Sequence, residues 1–203
     1  MGRLNWRRKH GLDKNRPGKE RSNTVSQFEY LSIAISMVFA ISVSRQVAAI
    51  PYVFSKSRWD WLYAGYFLAI LLMQWQFWWR MWSFQSIEVW QFHGFVLMMT
   101  GTFAYYLATF TLIPDKPENC RSWREHFEYR FRWIIGSIGF IWFVGGVISW
   151  ILLDFNPPPP FYITVLLCVF GASIQNRILH WLVLVWLILL LGLITVNLQA
   201  GVI

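Results

Sequence analysis

Residues 178–196 read ILHWLVLVWLILLLGLITV, an apolar run that contains no charged side chain. A helix needs about 20 such residues to cross about 30 Å of hydrocarbon, because each residue advances the helix axis by about 1.5 Å. The run is therefore typical of a membrane-spanning helix, and the fold class depends on how often the rest of the chain repeats it.

Five further apolar stretches meet or approach this length. They are residues 28–50, 61–83, 91–113, 133–153 and 161–174. We therefore predict an all-α fold, a polytopic transmembrane helical bundle of six spans within residues 28–200. The fifth stretch is short and is followed at once by Gln175-Asn176-Arg177, so a bundle of five spans, in which it fuses with the sixth, is the alternative.

The composition of the chain agrees with a membrane location. Of 203 residues, 56% are hydrophobic and 14% are charged, whereas a soluble domain carries about 25% charged residues. The net charge is +8, and eight of the 18 basic residues lie in the first 21 positions. A basic tail (residues 1–27) beside an apolar segment indicates contact with the lipid bilayer, so we expect no nucleic-acid partner.

The loops and motifs argue against an enzyme. Residues 115–132 form the longest internal loop, predicted as a surface loop or a short helix, and no loop is long enough to fold as a soluble domain. The sequence contains no H-E-x-x-H zinc motif, P-loop, nucleophile elbow or glycine-rich dinucleotide motif. We predict no catalytic residue and no metal site, and the cofactor content stays unknown.

Small residues mark two candidate helix-packing seams. In lipid, small side chains let two helix backbones approach closely. The first seam repeats at every fourth position of span one: Ser32, Ser36, Ala40, Ser44 and Ala48. The second lies in span four: Gly139, Gly145, Gly146 and Ser149. We expect the seams to close the bundle internally or to bind a copy of the chain or another membrane subunit, with a hydroxyl-lined polar path as the alternative.

Six polar residues are candidates for ion pairs or for a polar lining. They are Arg45, Asp60, Gln76, Arg80, Glu88 and Asp154. Arg80 lies near a membrane boundary among tryptophans, where a long basic side chain extends to the interface. If it points inward, Glu88, Asp154 or Glu29 could pair with it. Asp60 is the candidate partner of Arg45. We expect such pairs to fix the fold more than to move ions.

The aromatic content, 14 Trp, 17 Phe and 8 Tyr, is high for 203 residues. Packing and interface anchoring are the simplest explanation. The alternative is a surface that holds an apolar ligand such as a pigment or quinone. A haem held by two histidines is disfavoured, because His93 and His180 begin spans that start on opposite sides of the membrane.

Five short motifs resemble a group of small bacterial multi-pass inner-membrane proteins of about six spans. They are Phe28-Glu29-Tyr30-Leu31-Ser32, Ser44-Arg45, Gln76-Phe77-Trp78-Trp79, Ile113-Pro114-Asp115 and Tyr129-Arg130-Phe131-Arg132-Trp133. The resemblance covers about residues 28 to 140 and implies the bacterial inner (cytoplasmic) membrane. It also implies an external N-terminus, whereas the basic tail favours a cytoplasmic one. Since nine basic residues fall on each side, the orientation stays open.

These observations favour a structural or accessory subunit of a larger membrane complex or homo-oligomer. It would act through its packing seams and aromatic surfaces, with other membrane subunits or copies of itself as partners. The alternative is an ion channel or small-solute transporter, with a polar lining formed by Arg45, Gln74, Gln76, Arg80, Asp154 and Asn197. A membrane-embedded enzyme acting on a lipid or quinone has the least support.

Overall fold

A computed structural model describes residues 27–55, 58–87 and 90–199. Over those ranges the chain forms six α-helices and two short 3-10 helices, Met81–Ser86 and Pro117–Asn119, and no strand. The α-helices are α1 Gln27–Val53, α2 Trp61–Arg80, α3 Phe92–Leu112, α4 Trp123–Leu152, α5 Pro159–Ser173 and α6 Arg177–Gln199. The prediction of an all-α fold is confirmed. The basic tail lies outside the described residues, except for Gln27.

Four helices, α1, α3, α4 and α6, are long and apolar enough to cross a membrane. α5 is apolar but has only 15 residues. α2 has 20 residues, but its tryptophans, tyrosines and two glutamines keep it out of this group. The four long helices indicate an integral membrane protein, whereas the count of six spans is not confirmed.

Side chains at the helix starts accept hydrogen bonds from backbone N–H groups that have no partner within the helix. Asp60 Oδ1 accepts from Tyr63 N at 2.9 Å at the start of α2, and Ser122 Oγ accepts from Glu125 N at 3.4 Å at the start of α4. Asn176 does the same for α6. α5 begins on Pro159, where a missing N–H costs nothing.

Two helix boundaries differ from the sequence-based expectation. Within residues 115–132, predicted as a surface loop or a short helix, residues 123–132 are helical and continue without a break into span four as the beginning of α4. Trp123, Phe127 and Phe131 recur at every fourth position and are buried, so their packing continues the helix beyond the apolar span. Pro51, expected just past span one, lies inside the last turn of α1, where it lacks the N–H that would donate to the Val47 carbonyl.

α2 is the central helix of the bundle and packs against α1, α3, α4 and α6. Two aromatic pairs hold it to the early part of α4. The Tyr63 ring stacks on Trp123 with centroids 4.6 Å apart, and the Tyr66 ring stacks on Phe127 with centroids 5.2 Å apart. α5 lies outside this centre and packs on α4 and α6.

Glycines allow α4 and α5 to approach closely. A Cβ on Gly139 would lie 2.8 Å from Cys168 Cβ, and one on Gly146 would overlap the ring of Phe161. Gly145 has open space around its Cβ position, and Ser149 Oγ donates to the Gly145 carbonyl at 2.9 Å. Two of the four residues of the second seam therefore lie in the α4–α5 contact.

Substitution of these neighbouring glycines should have opposite consequences. Gly139→Ala should lower the free energy of unfolding by about 1–3 kcal/mol, because the new methyl group meets a Cβ that cannot move without its backbone. Gly145→Ala should leave stability unchanged or raise it slightly, because alanine favours the helix and meets nothing. Thermal unfolding of both variants in one detergent measures the difference, and equal melting temperatures would contradict the close α4–α5 contact.

Candidate functional site

The small-residue seam of α1 lies outside the interior of the bundle. Ser32 and Ser36 are half-buried, whereas Ala40, Ser44 and Ala48 are exposed. Ser32 Oγ donates to the Glu29 carbonyl at 2.8 Å and Ser36 Oγ to the Ser32 carbonyl at 2.5 Å. These two hydroxyls are satisfied within their own helix, so the outer face of α1 needs no water at those positions.

A different face of α1 meets the other helices. Its members are buried: Leu31, Ile35, Phe39, Ser42, Gln46, Ala49 and Val53. Sequence reasoning did not single out Ser42 or Gln46. Their spacing of four residues could have revealed them, because it places two polar side chains on one helical face. Ser36, Ala40 and Ser44 show the same spacing on another face, so the spacing alone does not identify the buried one.

Three polar side chains meet where α1, α2 and α3 pack together. Gln74 Nε2 donates to Ser42 Oγ at 2.8 Å and to Thr109 Oγ1 at 2.9 Å, and the two hydroxyl oxygens lie 2.8 Å apart. All three side chains are buried. One turn away, the rings of Phe39, Phe77 and Tyr105 close over this group with centroids 5.2–5.5 Å apart. The three-way hydrogen bond fixes the rotation of each helix about its axis.

Gln76, a predicted polar position, joins α2 to α6. Its Nε2 donates to the Leu191 carbonyl at 2.8 Å and to Thr195 Oγ1 at 2.7 Å. Residues 74 and 76 point to opposite sides of α2, because two residues turn a helix by about 200°. The two glutamines therefore bind α2 to helices on both of its sides and do not line a common path.

Some buried polar atoms of α1 and α2 have no hydrogen-bond partner. Gln46 is 0% exposed, and neither its Oε1 nor its Nε2 has a partner. Gln74 Oε1 and Arg45 Nε are also buried without a hydrogen-bond partner. A buried amide that makes no hydrogen bond costs about 1–3 kcal/mol. We therefore expect Gln46 to lower the stability of the fold, in contrast to Gln76.

The predicted pairing of Arg45 with Asp60 is wrong. Arg45 Nη2 donates to Asp115 Oδ1 and to the Ile113 carbonyl, each at 2.8 Å, because its side chain lies toward the end of α3. The same guanidinium lies over the Phe110 ring, 4.6 Å from the centroid.

Asp60 instead pairs with Arg177 at the beginning of α6. Arg177 Nη1 also lies 3.3 Å from Glu128 Oε1, and Arg124 Nε donates to the same oxygen at 2.9 Å. The four side chains link the starts of α2, α4 and α6. No sequence pattern indicates that α6 supplies the partner of Asp60, because 117 residues separate the two groups.

The other charged candidates lie at the opposite end of the bundle. Arg80 is half-buried at the end of α2 and faces Tyr105, and Asp154 is exposed after α4, where its φ is +49°. The ion pairs found within the described part of the chain include neither of them. Glu88 lies outside the described residues.

The histidines stand apart from one another. His93 is exposed at the start of α3, whereas His180 is buried at the start of α6, at the other end of the bundle. His180 Nε2 lies 3.1 Å from both the Gly171 and the Ile174 carbonyl, so this nitrogen carries a proton. Across the described ranges, no three His, Cys, Asp or Glu side chains could hold a metal ion together.

Two surface clefts lie at opposite ends of the molecule. One, of about 330 Å³, lies between the start of α3 and the end of α4 and includes Trp90 and His93. The other, of about 270 Å³, lies beside the ion-pair group and includes Arg124, Arg177 and His180. The aromatic cluster of Phe39, Phe77 and Tyr105 belongs to neither cleft and packs between α1, α2 and α3.

No protein-family model matches the sequence, and no curated protein or solved structure matches it either. The resemblance to small bacterial multi-pass membrane proteins therefore stays a prediction.

Two glutamine substitutions should change stability in opposite directions. Gln76→Leu should lower the free energy of unfolding by about 1–2 kcal/mol, because it removes two hydrogen bonds to α6. Gln46→Leu should raise it by about 1–3 kcal/mol, because a buried amide without partners is replaced by an apolar group of similar size. Chemical or thermal unfolding in lipid nanodiscs measures both, and a strongly destabilised Gln46→Leu variant would show that this amide has a partner.

The two ion-pair sites should differ in their energetic importance. Arg177→Gln should destabilise the protein by about 3 kcal/mol, because the Asp60 side chain, 6% exposed, loses its cationic partner. Arg45→Gln should cost no more than about 1 kcal/mol, because the Asp115 side chain is 78% exposed. Melting temperatures of the two variants against the unchanged protein test this order, and the reverse order would refute it.

Proposed function

We propose that this chain is a non-enzymatic integral membrane protein of six spans that acts by lateral association with another membrane subunit or with copies of itself. The bacterial inner membrane is the proposed location. α1 is the proposed docking helix, and its outer seam, Ser32, Ser36, Ala40, Ser44 and Ala48, is the proposed contact.

The exposure of α1 carries this proposal. Of its most apolar stretch, 28% of the residues are buried, compared with 33% in α6 and 50% in α3 and α4. The exposed residues Ile33, Met37 and Ile41 form a ridge along one side of the small-residue seam. A ridge beside a row of small side chains is the surface on which a second helix packs in lipid.

The hydrogen bonding of the central helix supports association over transport. Gln74 and Gln76, candidates for the lining of a channel, are both bonded to neighbouring helices. The two clefts lie at opposite ends of the bundle, and the aromatic cluster closes the space between α1, α2 and α3. A channel would need these contacts to open.

A bound pigment or quinone remains part of the proposal as a feature of the outer surface. Aromatic side chains are exposed on several helices, among them Trp75, Trp79, Phe103 and Trp150. Flat rings on an outer surface suit contact with another flat apolar group. An absorbance spectrum of the protein purified without added ligand reports whether a coloured group is bound.

Bulky substitutions in the seam should abolish the association. The protein purified in a mild detergent and analysed by native mass spectrometry should appear as a defined oligomer or with a stoichiometric partner. Ala40→Phe combined with Ala48→Phe should convert it to the isolated chain, because the new rings fill the seam. If the unsubstituted protein is itself an isolated monomer with no bound partner, the proposal is refuted.

Gly192→Phe is the matched control. Gly192 is an exposed residue on α6 with open space at its Cβ position, so the same enlargement should leave the association intact. The alternative is a channel. It would be favoured if liposomes that contain the protein conduct ions and the seam substitutions leave this ion flux unchanged.

A further inference from the structure

The outer side of α1 changes from large to small side chains along its length. Six exposed residues fall within about 80° of the helix circumference, because 3.6 residues complete a turn. In chain order they are Tyr30, Ile33, Met37, Ala40, Ser44 and Ala48. The first three side chains are 73%, 52% and 64% exposed. The last three form the floor of a groove, and the exposed Ile41 and Val47 border it on its two sides.

This strip of six residues is complementary to its own reverse. Its members form three pairs that are centred on one point near residues 38 and 39. The pairs are Tyr30 with Ala48, Ile33 with Ser44, and Met37 with Ala40. Two copies of α1 that cross at this point in opposite directions therefore place each large side chain against a small one of the other copy. Two copies that run in the same direction place large against large, which forces the starts of the helices apart.

The basic residues are divided equally between the two ends of the bundle. Nine belong to the loops and helix ends where α2, α4 and α6 begin: Arg45, Arg58, Lys116, Arg121, Arg124, Arg130, Arg132, Arg177 and, by its place in the sequence between α1 and α2, Lys56. The other nine are Arg80, at the opposite end, and the eight of the basic tail, which precedes α1 in the sequence. The start of α1 lies at that opposite end, where Trp90 N donates to Gln27 Oε1 at 3.0 Å.

This division of charge leaves the orientation of the chain undetermined. An excess of lysine and arginine on one side of the membrane directs that side to the cytoplasm, and neither end of this bundle has such an excess. The ten acidic residues, assigned to the two ends in the same way, divide five to five, so the net charge adds no preference. One sequence can therefore insert in both directions.

We propose that the partner of α1 is a second copy of this chain, inserted in the opposite orientation, so this inference rests on the proposed association through α1 and names its partner. The two copies are related by a two-fold axis in the plane of the membrane. The large half of each strip fills the groove of the other, and the balanced basic residues supply chains of both orientations.

Single cysteines at the two ends test the orientation. In a Cys120→Ser background, Gln175→Cys places a thiol where α6 begins and Asn156→Cys places one at the opposite end, both at exposed positions. The native Cys168 is 0% exposed and should not react. In spheroplasts, a membrane-impermeant maleimide should label about half of the chains of each variant, because a two-fold pair holds one chain of each orientation. Labelling of one variant only would overturn the proposal.

Cross-links between the copies report the relative direction of the helices. When Ile33→Cys and Ser44→Cys are carried on separate chains that are expressed together, oxidation should link the two chains, because these positions face each other in the reversed arrangement. Ser44→Cys alone is the matched control, since position 44 meets its own copy when the helices run in the same direction. A stronger cross-link in this control would overturn the reversed arrangement and leave the association of α1 standing.

A shift in the charge balance separates this inference from the association itself. One set of substitutions is Arg7→Gln, Arg8→Gln and Lys9→Gln, and the other is Lys116→Gln, Arg121→Gln and Arg132→Gln. Either set leaves six basic residues against nine and should fix one orientation. In native mass spectrometry each set alone should give isolated chains, and the two sets expressed together should restore the pair.

The possible failures of this experiment differ from one another. A set that pairs on its own, or a stoichiometric partner of different sequence, would overturn the second copy of opposite orientation and keep the association through α1. Isolated chains of the unsubstituted protein would refute both.

Discussion

The polar side chains of α2 impose the constraint on which the rest of the bundle depends. A helix enclosed by other helices in an apolar medium must find its hydrogen-bond partners within the protein, because no water replaces them. Tyr63 Oη donates to the Leu112 carbonyl at 3.0 Å and Tyr66 Oη to the His180 carbonyl at 2.9 Å. Together with Gln74 and Gln76, they tie α2 to α1, α3 and α6 at defined positions along its length. Dispersion forces alone would leave those helices free to slide and rotate.

The charged side chains sit mainly at one end of this framework. The Asp60, Glu128, Arg124 and Arg177 group joins three helix starts, and the pair of Arg45 with Asp115 ties α1 to the end of α3. The early part of α4 belongs to the same end, where Trp123 Nε1 donates to the Tyr52 carbonyl at 2.9 Å. Within the described ranges, the loops and helix starts at this end are therefore bound to one another. These contacts hold the helix ends, whereas the hydrogen bonds of α2 hold the helices along their length.

The apolar runs of the sequence located all six helices, because length and hydropathy suffice for that purpose. They did not reveal which face of each helix points inward. On α1, the buried Leu31 and Ile35 and the exposed Ile33 and Met37 are equally apolar, since lipid and protein interior select the same side chains. The sequence also did not predict which side chains pair across the bundle, as the pairing of Asp60 with Arg177 shows. The extension of α4 was readable in principle, from the spacing of Trp123, Phe127 and Phe131.

The unequal lengths of α4 and α5 have a consequence for the membrane if both helices lie within it. At about 1.5 Å per residue, the 30 residues of α4 extend about 45 Å and the 15 residues of α5 about 22 Å. The glycine contact locks the two helices side by side, so neither can tilt alone to match a bilayer about 30 Å thick. In the proposed six-span arrangement, the lipids beside α5 would have to adapt to the protein, and elastic deformation of the bilayer would become part of its energetics. Membrane thickness would then influence in which region of a cell membrane the protein resides.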